Sequence, residues 1–196
     1  LEGAYFETSR SGFHTAMDVS VYSLTALVNA FENIMPDGSN VLTFSYYGAE
    51  KVVTNYNVMG VAKAALEASV RYLAADLGSR KIRVNAVSAG PVRTLSAAGI
   101  AGFHSMYNQF LSIAPLHENI DKEDVANAAV FLASDLASKI TGEVMYVDSG
   151  YNIVGVPPLI TEEKEKCSDA GQTKSTHKTK RSSPTGSPLY WQRGSR

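Results

Sequence analysis

Three residues in this chain have the chemistry to handle a proton and a developing charge: Tyr46, Tyr56 and Lys63. A phenol donates a hydrogen bond to an oxygen that is gaining negative charge, and an ammonium stabilises that charge from close by. Lys63 follows Tyr56 by seven residues, almost two turns of an α-helix. The spacing therefore predicts that both side chains leave one helix face. Other chemistries find less support. His14, His104, His117 and His177 show no metal-ligand spacing. Ser45 and Ser88 have no partners arranged as a nucleophilic triad.

The elements that must hold Tyr46, Tyr56 and Lys63 can be read outward from them. Residues 40–46 form a short apolar run, predicted to be a strand buried on both faces. Residues 47–55 read as a loop, with Gly48 at a tight turn. Residues 56–77 form a long Ala-rich helical pattern, with Gly78 as its stop. Upstream, residues 11–35 are apolar on more than one helical face. Ser11 is the expected cap of that helix, and Pro36-Asp37-Gly38 its end. Downstream, residues 82–88 and 143–147 read as two more strands, and 121–134 as a helix capped by Asp121. Residues 92–115 are apolar but rich in glycine and read as irregular with helical stretches. Strands alternating with helices predict an α/β fold with a parallel, doubly wound, Rossmann-like sheet.

Composition bounds the function. A chain of 196 residues with formal net charge −1 can build one core and has no electrostatic case for binding nucleic acid. No uncharged apolar run is long enough to span a bilayer. The single cysteine, Cys167, cannot form a disulfide within the chain. Acids outnumber bases up to Gly155, whereas bases outnumber acids beyond it. Residues 156–196 are rich in Lys, Ser, Thr, Gly and Pro without apolar periodicity, which predicts a disordered basic tail.

Several spaced motifs carry a resemblance. Ser45-Tyr46-x-Gly48-Ala49-Glu50 is followed by Asn55-Tyr56-Asn57-Val58-Met59-Gly60-x-Ala62-Lys63. Then come Arg83-Val84-Asn85-Ala86, Ser88-Ala89-Gly90-Pro91-Val92-Arg93-Thr94-Leu95, Gly142-Glu143-Val144 and Val147-Asp148-x-Gly150. In this order they resemble the NADH-dependent enoyl-acyl carrier protein reductases of bacteria and plastids, members of the short-chain dehydrogenase/reductase superfamily. General members of that superfamily carry a Tyr-x-x-x-Lys pattern. Here Gly60 stands at that lysine's place and Lys63 follows later, a spacing that disfavours a 3-oxoacyl-acyl carrier protein reductase.

The resemblance implies reduction of a trans-2-enoyl thioester on acyl carrier protein, with NADH, in fatty acid biosynthesis. It implies that Tyr56 meets the thioester oxygen, and that Lys63 holds the nicotinamide ribose and lowers the tyrosine pKa. Tyr46 would be a second pocket tyrosine. Pro91, Val92 and Thr94 would bind cofactor. Met59, Ala97, Ile100, Phe103 and Met106 would line the acyl pocket, most of them on a mobile lid. The family forms dimers and tetramers, so helices 11–35 and 56–77 are expected to carry a homo-oligomer. The implied compartment is the cytoplasm, or a plastid.

One expected motif has no counterpart in this sequence. Such folds bind the cofactor diphosphate on a glycine-rich loop after their first strand, and no such loop occurs here. Residues 1–155 therefore read as the C-terminal part of a reductase domain lacking its first strands. At roughly 30 residues per βα unit, the lacking part amounts to on the order of 100 residues. The strand at 40–46 is then expected to leave one edge unpaired, and the chain alone to bind NADH weakly. The competing expectation is an inactive remnant that associates through its two long helices.

Overall fold

The computed structural model describes residues 3–94 and 102–156, all within the compact unit Leu1–Pro158. The disordered tail expected over 156–196 lies outside the described residues from 157 onward. Three parallel strands, β1 (Asn40–Ser45), β2 (Arg83–Ala89) and β3 (Val144–Val147), pair in the order β1-β2-β3. Five α-helices are described: α1 (Arg10–Met17), α2 (Ser23–Phe31), α3 (Asn57–Leu77), α4 (Phe103–Ile113) and α5 (Lys122–Ala133). The α/β fold with a parallel sheet wound on both faces is thus the one the alternation predicts.

Strand alternation divides the core into two layers. Val84 and Ala86 of β2 face α3 and α2, where they pack with Leu24, Val28, Leu66 and Val70. Val87 faces the other way and packs with Leu132 of α5, with Leu42, Met145 and Val147 alongside. β2 is the central strand and is buried along almost its whole length. Ala62 and Ala74 of α3 are buried, and their small side chains let the helix lie close on its neighbours.

Polar side chains tie the layers at defined points. Arg83, 8 % exposed, donates to the carbonyls of Leu132, Ala133 and Ser134 at 2.6, 3.5 and 3.3 Å. These carbonyls lie at the end of α5, where the helix dipole favours a cation; Ala133 also accepts from Asn40 Nδ2 (3.2 Å) and Ser134 from the Ala137 amide (3.2 Å), which leaves Leu132 the most dependent on Arg83. Arg83→Met should therefore destabilise the fold by roughly 1–3 kcal/mol, since it takes the donor from the Leu132 carbonyl. A denaturant titration measures it, and Lys139→Met on the surface serves as comparison. Asn85 donates to the Ile140 carbonyl (2.9 Å) and accepts from the Glu143 amide (3.0 Å), which fixes the turn into β3.

The structure corrects four local expectations. The first helix is capped by Ser9, not Ser11: Ser9 Oγ accepts from the Gly12 amide at 3.1 Å. That helix is also not uniform, because a π-helical turn, Asp18–Tyr22, separates α1 from α2. There Ser23 Oγ donates to the Val19 carbonyl, the kind of side-chain competition that loosens a helical ladder. β1 is not buried on both faces; Phe44 is 50 % exposed, because among the described residues β1 pairs with β2 alone. Gly78 does not end α3 in a left-handed conformation. Its φ is −61°, the chain runs on as a 3-10 turn, and Lys81 (φ 58°) makes the reversal. Arg80 locks that turn through Asp37, Glu32 and the Met35 carbonyl.

Candidate active site

Tyr46 is the first residue beyond β1, so the strand fixes where its side chain starts. Its ring meets that of Tyr56 edge to face, with centroids 4.9 Å apart and planes at 69°. Tyr56 is the N-cap of α3, in a helical conformation but flanked by Asn55 (φ 65°) and Asn57 (φ 44°). Two left-handed residues around it mean that the turn, rather than the helical phase alone, aims the Tyr56 ring. The seven-residue spacing alone therefore does not set the direction of the Tyr56 side chain.

Two glycines seat the ring. A Cβ on Gly48 would lie 2.5 Å from Tyr56 Cδ1, and a Cβ on Gly60 would lie 2.7 Å from the Gly48 carbonyl oxygen. The loop rests on α3 through Gly60, and Tyr56 rests on the loop through Gly48. Lys63, two turns into α3, donates from Nζ to the Phe44 carbonyl at 2.7 Å. This places the ammonium at the end of β1, two residues before Tyr46.

Burial governs the electrostatics. It pushes Tyr56 up to about 12, and Tyr46 also to about 12, with the neighbouring phenols Tyr56 and Tyr151 adding to the Tyr46 shift. Lys63 is lowered by burial, an effect opposed by Glu67. Burial is the cause of the Tyr56 shift, and its direction is upward, because desolvation disfavours the phenolate. Tyr56 is a neutral donor across the whole physiological range.

A cavity of about 450 Å³ opens beside this pair at the carboxyl ends of the strands. Its wall includes Tyr46, Pro91, Met106, Phe110, Asp148 and Tyr151. Met106 of α4 receives the Tyr46 hydroxyl at its sulfur, 3.7 Å away. Phe110 stacks on Tyr151 (4.9 Å, 19°) and Tyr47 meets Tyr151 edge to face (5.8 Å, 89°). Gly90 permits this stack, since a Cβ there would lie 2.8 Å from Phe110 Cζ. Arg93 lies over the Tyr107 ring at 4.5 Å and ties the segment after β2 to α4.

Not every residue expected at the site gathers there. Tyr56 lines a neighbouring cavity of about 430 Å³, with Gly48 and Gly60; the two cavities share Val52 and Val53. Val92 is half-buried and Thr94 exposed, just past Pro91, and neither is in the wall of the larger cavity. Met59 is absent from that wall as well; its sulfur accepts from Ser20 Oγ at 3.9 Å, on the side of the π turn. Phe103 opens α4, whereas Ala97 and Ile100 lie outside the described residues. Conversely, the wall includes Phe110 and Tyr151, which the sequence did not mark, and Asp148, marked there only as part of a motif. Tyr151 follows the Val147-Asp148-x-Gly150 motif directly, a signal that could have marked it. Among the described residues no group of His, Cys, Asp and Glu could hold a metal ion, and no helix is long and apolar enough to cross a membrane.

A parallel sheet wound on both faces, with tyrosines and a lysine at the carboxyl ends of its strands, is a Rossmann-like fold of the short-chain dehydrogenase/reductase type. Residues 1–152 match the family described as enoyl-(acyl carrier protein) reductase, and the chain belongs to that family. The enoyl-acyl-carrier-protein reductase (NADH) FabI of Rickettsia prowazekii is 52 % identical over 160 residues, covering 82 % of this chain and 61 % of the relative. Enoyl-acyl-carrier-protein reductase (NADH) 1 of Rhizobium meliloti is 56 % identical over 156 residues, covering 80 % and 57 %. The solved Bacillus cereus enoyl-acyl carrier protein reductase, with NADP+ and indole naphthyridinone, superposes with a TM-score of 0.77. It shares 54 % identity, over 79 % of this chain and 60 % of that one. The chain spans about three fifths of the length of the curated relatives it matches.

Proposed function

We propose that residues 1–155 are the C-terminal part of a reductase domain that converts a trans-2-enoyl thioester on acyl carrier protein to the saturated acyl thioester. NADH, when bound, supplies the hydride for the β-carbon. Tyr56 keeps its proton and donates a hydrogen bond to the thioester oxygen as enolate charge develops there, and a proton from solvent added at the α-carbon completes the saturated thioester. A neutral phenol suits this role, because it stabilises the charge without placing a fixed anion in the site. Lys63 adds its positive charge at the same strand end. Tyr46 and Met106 form the acyl side of the cavity, and by the resemblance of their segment we extend that task to Ala97, Ile100 and Phe103; Met59, which faces Ser20 instead, is left out of it.

The residues present fit the nicotinamide end of NADH. Pro91 is buried in the cavity wall at the end of β2, with Gly90 before it and Val92 after it. An ammonium has more than one donor, so the bond from Lys63 to Phe44 leaves capacity for a ribose diol. Val92 and Thr94 are proposed to continue the cofactor contact. A glycine-rich cradle for the diphosphate has no counterpart in this sequence.

The observation that carries the reading is the convergence of Tyr46, Tyr56 and Lys63 on the end of β1, next to a cavity closed by α4. We extend it to a homo-oligomer. Val19, Tyr22, Leu27 and Phe31 on the first helical segment and Tyr72 on α3 are all exposed, which is apolar area suited to a second copy. The enzymatic reading is tested by joining this chain to the glycine-loop segment of the Rickettsia prowazekii relative. NADH oxidation is then followed with crotonyl and acetoacetyl thioesters side by side. Turnover of the crotonyl thioester is expected; turnover of acetoacetyl thioester alone would make the protein a 3-oxoacyl reductase instead.

A further inference from the structure

The carboxyl ends of the three strands present a polar row to α3. Ser45, Ser88 and Tyr146 are register partners across β1, β2 and β3, so the pleat sends all three to one face. Ser45 Oγ donates a short hydrogen bond to Glu67 of α3, and Glu67 is only 7 % exposed. Ser88, 1 % exposed, lies beside this pair. One turn earlier on α3, Lys63 donates to the carbonyl of Phe44. The helix thus grips two consecutive residues of β1, and the next residue in the chain is Tyr46.

A buried carboxylate is an expensive way to hold a serine, because an amide would accept the same bond without a charge to desolvate. The charges facing Glu67 show what the carboxylate adds. Burial raises its pKa; Ser45, Arg71 and Lys63 oppose that, and Glu50 across the loop reinforces it. Lys63 in turn is favoured as a cation by Glu67. We propose that Glu67 is a positioning residue of the site: it fixes the end of β1 through Ser45, seats Tyr46 against Tyr56, and balances the charge of Lys63. The proposal rests on the reading of those three residues as the reductase site. Its test reads no activity, so the two fail separately.

The test compares the 196-residue chain with its Glu67→Gln, Glu67→Ala and Ser45→Ala variants by NMR with isotope-labelled tyrosine and lysine. Tyr46→Phe, Tyr56→Phe and Lys63→Arg assign the signals. An edge-to-face pair shifts ring signals away from the average tyrosine position. Those shifted signals are expected to persist in Glu67→Gln, whose amide oxygen still accepts from Ser45. They should be lost in Glu67→Ala and Ser45→Ala. Lys63 should titrate at lower pH in both Glu67 variants and as wild type in Ser45→Ala. A merely structural Glu67 would move neither readout selectively. Unchanged ring signals in Glu67→Ala or in Ser45→Ala, or an unmoved Lys63 titration in Glu67→Gln, would overturn the proposal. If Glu67→Ala does not fold, Ser45→Ala carries the ring test and Glu67→Gln the titration.

Discussion

Tyr56→Phe in the joined reductase is expected to lower kcat about 10²–10³-fold with little change in KM, the usual effect of deleting one donor aimed at a developing oxyanion. The substitution removes only the hydroxyl. The ring keeps its edge-to-face contact with Tyr46 and its seat on Gly48, so the loop and α3 are undisturbed. Tyr46→Phe should cost less, because its hydroxyl is engaged with the Met106 sulfur. The pH dependence separates this account from one with an ionised tyrosine. Burial holds Tyr56 at about 12, so the donor keeps its proton at every pH at which the enzyme is assayed. The raised pKa also means that burying the neutral phenol favours the fold fully below pH 10.0, its ordinary value. That contribution fades only as pH rises towards about 12. Stopped-flow measurement of kcat from pH 6 to 10, roughly the span in which such folds persist, checks this. A loss of rate on the acid side with a midpoint near neutrality would mean that a phenolate, not a phenol, does the work.

The second large effect is expected at Gly60. A Cβ there would stand 2.7 Å from the Gly48 carbonyl oxygen, a backbone atom that cannot swing aside. Gly60→Ala should cost about 1–3 kcal/mol as overpacking, and should lower kcat as well, since the displaced loop is the one beneath Tyr56. Gly78→Ala is the comparison: nothing lies within 4 Å of its added Cβ and its φ is −61°, so stability should hold or rise. Thermal melts and kcat for the two variants decide. The geometry also accounts for the spacing of the motif. A lysine at position 60, where the wider superfamily carries one, would meet the Gly48 backbone. Lys63, one turn further along α3, instead reaches the Phe44 carbonyl without crossing the loop.

Much of this was legible in the residues. The alternation of apolar strands with amphipathic helices gave the parallel sheet, because each strand reads as a short apolar run ended by Gly, Pro or Asp. The cap at Asp121 was legible for a similar reason: its side chain and that of Asp124 satisfy each other's amides, a local arrangement written in adjacent residues. Tyr46, Tyr56 and Lys63 stood out through residue type and spacing. What escaped was set by contacts distant in sequence. Phe110 and Tyr151 meet only because Gly90 lets α4 lie down on the end of β2. The role of Gly60 needed the position of the Gly48 carbonyl. Glu67 carries no local signal, because only the register of β1 brings Ser45 to it. The π turn at Asp18–Tyr22 likewise leaves no periodic trace, because one wide turn barely shifts the apolar pattern.

The central claim is that the end of β1 is an enoyl reductase centre, and transfer of label tests it most directly. The joined protein is given crotonyl thioester and NADH deuterated at the transferable position, and the product is read by mass spectrometry and NMR. The account predicts butyryl thioester with deuterium on the β-carbon and a solvent proton on the α-carbon, and a rate that falls in Tyr56→Phe. Deuterium elsewhere in the product, or an undiminished rate in Tyr56→Phe, would contradict it.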